Sequence, residues 1–135
     1  MKYLFIILFA SCSTCSFSQT KSRLLKIYSI TEYADAFVLK AIDTAKLDTL
    51  NIISIRDAPK CKKGLKRIKV GKLYNIMYEE DNMAPQILLD NNLVIKVKKT
   101  LIWKPSDGLT NLPVYSTNLK GLWISDKNFI SSGKH

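Results

Sequence analysis

Seven cations crowd into residues 60–72 with no acid among them: Lys60, Lys62, Lys63, Lys66, Arg67, Lys69 and Lys72. Ammonium and guanidinium groups bind phosphate, sulfate or carboxylate oxygens through charge-assisted hydrogen bonds. Exposed groups of this kind lose affinity as salt rises. Lys96, Lys98, Lys99 and Lys104 make a second basic group. If the segments carrying the two groups pair as strands, Arg67 and Lys69 share an outer face with Lys96 and Lys98. The candidate ligand-binding residues are therefore Lys62, Lys63, Lys66, Arg67, Lys69, Lys96 and Lys98. The partners that fit such a face are an anionic glycan, a lipid headgroup or an acidic protein. The competing reading is an ordinary solvated basic surface. Nucleic acid is not expected, because its recognition needs exposed stacking platforms or base readers, and alternation places Tyr74 and Tyr78 in the core.

Other chemistry is thinly supplied. The sole histidine is His135, the last residue, so no serine or cysteine nucleophile has a framed imidazole beside it. Zinc needs several His or Cys ligands, and beyond residue 18 the chain has only Cys61 and His135. Glycine-rich phosphate loops, nucleophile elbows and zincin motifs are absent from the sequence. Among eleven carboxylates no pair is singled out by spacing. Glu79-Glu80-Asp81 is a charged strand end and falls short of the six or more oxygens a hard cation wants. Cys61, set between lysines, is either a small half-buried apolar residue or a reactive thiol. The expectation is a non-enzymatic binding or interaction module with no cofactor and no metal. A structural envelope protein is the next reading, and an enzyme of unknown type the last.

The start of the chain explains why two further cysteines do not change this. Met1-Lys2 is positive, YLFIILFA (residues 3–10) is unbroken apolar sequence, and small and polar residues run to Ser16-Phe17-Ser18. That order is a secretory signal peptide over residues 1–18. As a helix the apolar run reaches only ~12 Å, against a bilayer core of ~30 Å. Two processing routes stay open. Cleavage after Ser18 releases a soluble chain into the periplasm or the medium, and the small-x-small site favours it. Alternatively Phe9-Ala10-Ser11-Cys12 resembles a lipobox with its leucine one place early, at Leu8. Cys12 would then be acylated and the protein membrane-anchored. Membrane association is expected only on that route. Cys12 and Cys15 have C-x-x-C spacing, but a discarded leader carries no redox or metal site. Cys61 is then left without an internal disulfide partner.

The net charge of the whole chain is +10, and the leader holds only Lys2 of the cations. What remains suffices for one domain with a modest core. The expected organisation is a flexible start at 19–22, a β-rich domain at 23–125 and a polar tail at 126–135.

Period-two alternation dominates this domain. Over residues 66–79, Ile68, Val70, Tyr74, Ile76 and Tyr78 share one face, and Gly71 marks a bulge or sharp bend. Over residues 93–103, Leu93, Ile95, Val97, Leu101 and Trp103 do the same. Residues 36–43 and 49–56 suit a hairpin around the polar loop 44–48. A helix at 31–46, capped by Thr31, competes with it. Residues 24–30 suit an opening strand, 83–90 a short helix, 105–108 a turn and 119–125 a closing strand.

The stretch from Cys61 to Tyr74, with Ile68-Lys69-Val70-Gly71-Lys72-Leu73-Tyr74 at its heart, resembles small exported proteins of the Bacteroidota. These carry an I-K-V-G-K-x-Y-like strand after a hairpin. The Phe-Ser-Gln ending of the leader resembles the same group. The strand is also similar to the third strand of an OB-type barrel. The resemblance spans residues 36–78 and brings no activity. The fold expected is all-β, a five- to six-stranded OB-like barrel with at most one short helix. The alternative is an α+β domain with the helix at 31–46.

Overall fold

Alternating apolar residues build five strands that close on themselves. A computed structural model describes residues 20–79, 86–89, 92–108 and 112–131. Residues 1–19 with Cys12 and Cys15, Glu80-Asp81 and His135 lie outside the described residues. The first strand, β1, is Thr20–Glu32, followed by β2 (Ala36–Asp43) and β3 (Thr49–Ile55). A short β4 (Leu65–Arg67) precedes β5 (Leu73–Glu79). Then come β6 (Gln86–Leu89), β7 (Asn92–Val97), β8 (Thr100–Trp103), β9 (Val114–Ser116), β10 (Trp123–Ser125) and β11 (Phe129–Ile130). Single 3-10 turns occupy Pro105–Asp107 and Asp126–Asn128.

The ring runs β1-β2-β3-β9-β5 and back to β1, with β11 as an extra strand on β5. β1 is long enough to serve both neighbours. Its first half pairs with β5 from Thr20↔Glu79 to Lys26↔Leu73, and its second half with β2 from Leu25↔Asp43 to Glu32↔Phe37. A bulge between Ile27 and Ser29 turns the strand from one partner to the other. β3 and β9 are parallel through Ile52↔Val114 and Ile53↔Tyr115. β9 then meets β5 antiparallel at Tyr78↔Ser116. The molecule is a small all-β barrel of five strands plus one, consistent with the expected OB-like fold. The predicted hairpin is β2 and β3, so the competing helix at 31–46 does not form. The β-branched run Ile52-Ile53-Ser54-Ile55 finds its partner across that hairpin.

Leu25, Ile27, Leu39, Ala41, Ile52, Tyr74 and Ile76 fill the barrel. A ribbon of β4 and β10, paired Trp123↔Arg67 to Ser125↔Leu65, adds buried Ile68, Leu122 and Ile124 to this core. The meander β6-β7-β8 does something different. Ile95, Val97 and Trp103 pack on Ala36, Val38 and Ile53, the outward side chains of β2 and β3. In OB folds the β2–β3 face and its flanking loops carry the ligand. Here an insertion between the fourth and fifth barrel strands covers much of that face.

Several expectations are corrected. The run 66–79 is two strands, because Ile68 to Lys72 leave the ladder and turn at Gly71 (φ 83°). Val70 is consequently exposed, not inward. The I-K-V-G-K-x-Y motif opens the fourth barrel strand, not the third. Residues 93–103 also break, at a tight turn where Lys98 adopts φ 53°, and Leu101 is exposed. Among the described residues the two long runs do not pair, and β7 bonds to β6 and β8. Within 83–90 the described part is strand β6, not helix. Thr20 to Ser22 belong to β1. The segment from Asp126, expected as a polar tail, returns as β11 opposite Tyr74 and Leu73, and Phe129 packs on the core.

Candidate anion-binding site

The break at Gly71 folds the basic segment back on itself. Gly71 donates its N–H to the Ile27 carbonyl at 2.7 Å, and Ile27 donates to the Lys72 carbonyl at 3.1 Å. The turn is thus tied to β1 at its bulge. Upstream, Ile68 donates to the Leu122 carbonyl at 2.8 Å, which seats β4 on β10. Between these anchors Lys69 donates its backbone N–H to the Tyr74 hydroxyl oxygen at 2.8 Å.

Lys66, Arg67, Lys69 and Lys72 consequently line one concavity of about 410 Å³, walled by Tyr74 and Phe129. The two rings lie 5.5 Å apart and 47° inclined. Lys66 sets its Nζ 4.3 Å from the centre of the Phe129 ring, which holds that cation at the rim. Among the described residues no carboxylate lines the cavity and no ion pair engages its four cations. Four like charges over an apolar wall create a strongly positive local potential with room for an anion. The volume falls within the ~300–1,000 Å³ of small-molecule sites.

Arg67 also lines a neighbouring hollow of about 260 Å³ with Lys62, Trp123, Phe37, Arg56 and Asp57. There Lys62 places its Nζ 4.8 Å from the Trp123 ring centre. Lys62, Lys66, Arg67 and Lys69 thus belong to one continuous basic and aromatic surface. Lys63 is exposed on the loop before β4. Lys96 and Lys98 do not join it: Lys96 lies on β7 and Lys98 at the tip of the β7–β8 hairpin, in a separate sheet. Cys12 lies outside the described residues. Cys61 is exposed, not half-buried.

A further concavity, about 350 Å³, remains between the outer β2–β3 face and the meander, lined by Tyr33, Lys40, Asn51, Trp103 and Asp107 among others. It sets one cation against one carboxylate and offers an anion no comparable pull. Among the described residues no three His, Cys, Asp or Glu side chains group as metal ligands, and no helix is long and apolar enough to cross a membrane.

Phe129 and Trp123 are the site residues that sequence reasoning misses. Phe129 sits in a polar tail, and only the apolar pair Phe129-Ile130 within it signals a strand. Trp123 falls on an apolar parity and reads as core, yet it is only partly buried and carries Lys62 on its face. Comparison with protein-family models, curated proteins and solved structures yields no match for this chain.

Proposed function

We propose that this protein is an exported, non-enzymatic binding module that holds an anionic group between β4, the Gly71 turn and β11. One observation carries the reading. Lys66, Arg67, Lys69 and Lys72 converge on a single cavity that no carboxylate lines among the described residues. Arg67 supplies a planar donor fork for two oxygens of a phosphate, sulfate or carboxylate. The lysines add mobile charge around it, and the Tyr74–Phe129 wall excludes water from one side. Export is supported by the leader pattern of residues 1–18.

The test is retention on a sulfated-polysaccharide resin under rising salt. The wild-type protein is expected to bind at low salt and elute as salt screens the contacts. The variant K66E/R67E/K69E is expected to flow through, while K96E/K98E is retained nearly as wild type. Equal retention of both variants would remove the cavity from the account.

A further inference from the structure

Apolar side chains stand exposed beside the basic cavity, where a soluble anion has no use for them. Val70, at the tip of the Gly71 turn between Lys69 and Lys72, is 55% exposed, Ile130 on β11 43% and Tyr28 on β1 42%. They come from three segments gathered around one turn. Tyr28 follows Ile27, whose backbone bonds to Gly71 and Lys72. Ile130 is registered opposite Leu73. A hollow lined by Lys26, Gly71, Lys72, Leu73 and Ile130 shares Lys72 with the basic cavity. The Gly71 turn therefore carries exposed Val70 next to Lys69, and Lys72 at the same turn shares a hollow with Lys26 and exposed Ile130.

From this we infer that the anion is a lipid headgroup in place, and that the Gly71 turn docks on an anionic bilayer surface. The inference rests on the cavity reading and narrows it. At a bilayer surface the lysines meet acidic headgroups, and their stems run along apolar surface while the ammonium groups stay in water. Val70 and Ile130 reach into the headgroup and acyl boundary, where burying them is favourable. Tyrosine is at home at that depth, which suits Tyr28. An anionic glycan would use the same cations and leave all three apolar groups in water. This route to the membrane requires no acyl chain on Cys12. The exposed apolar area is small, so attachment depends on charge and reverses with salt.

The experiment expresses all 135 residues in an exporting bacterial host and purifies the form the cell makes. Co-sedimentation is measured with phosphatidylcholine vesicles with and without phosphatidylglycerol, and retention on the sulfated resin is measured in parallel. The wild type is expected to sediment with the anionic vesicles alone, and soluble glycerol 3-phosphate to compete only weakly. V70S/I130S changes only exposed positions outside the lining of the four-cation cavity. It should lose about tenfold in vesicle affinity while keeping its resin retention. Equal sedimentation with neutral vesicles, no sedimentation at all, or a V70S/I130S variant that binds vesicles like wild type would each overturn the inference. If the resin retains the wild type in those cases, only the lipid assignment fails. If it does not, the cavity reading fails as well.

Discussion

The backbone N–H of Lys69 donates to the hydroxyl oxygen of Tyr74 at 2.8 Å, so the phenol that walls the cavity also pins its rim. The bond spans the turn at Gly71 and closes the bend that brings Lys66, Arg67, Lys69 and Lys72 together. Tyr74→Phe keeps the ring and its packing on Phe129 but deletes the acceptor. It should cost about 1 kcal/mol of stability and lower the salt at which the protein leaves the sulfated resin. Urea denaturation and resin elution measure the two effects on one variant.

Gly121 holds the other side of the ribbon in place. Its φ is 59°, and a Cβ there would stand 2.8 Å from the Asp57 carbonyl oxygen. Its own carbonyl accepts a buried hydrogen bond from Ser54 Oγ at 2.7 Å. Gly121→Ala must therefore strain the backbone and displace residues 56–58. The expected loss is about 2–3 kcal/mol, seen as a Tm lower by about 10 °C.

Acid should loosen the β2–β3 hairpin through Asp43. Its carboxylate, 3% exposed as a residue, accepts the Ala45 N–H at 2.9 Å and the Lys46 N–H at 3.3 Å, and pairs with Arg23 at 3.0 Å. The Ala45 bond does most to hold the carboxyl below its ordinary pKa. Burial pushes the other way, and Lys46 and Arg23 help to outweigh it. A depressed folded pKa means that the folded state favours the ionised form. The stabilisation is complete above the unfolded pKa of about 3.9 and drains away as pH falls through the lower folded value. Asp43→Asn should be less stable than wild type at neutral pH and should lose less between neutrality and pH 3. Urea midpoints across that range give the comparison.

The barrel was largely legible in the residue pattern, and the site only half so. Tyr74, Ile76 and Tyr78 lie inside as alternation requires, and the loop at 44–48 joins two strands. Alternation is a local rule, however, and carries no signal for where a strand changes partners. Gly71 marks the bend in the first run, whereas the break at Lys98-Lys99 falls inside a run that reads as continuous. A lysine pair with Lys98 at φ 53° lacks the Asn-Gly marking of a tight hairpin turn. Strand order was the larger loss. Nothing local shows that β7 packs on the outer β2–β3 face and pairs with neither β4 nor β5. The basic segment 60–72 was visible as charge, but its convergence depends on contacts from Ile27, Leu122 and Phe129, all distant in sequence.

Amide chemical shifts of the protein titrated with inorganic pyrophosphate test the central claim most directly. The account predicts saturable shifts concentrated at residues 66–72, Tyr74 and Phe129, and their loss in K66E/R67E/K69E. Shifts centred on the Lys98 hairpin or on the Lys40–Asp107 cleft, or no saturable shift at all, would contradict it.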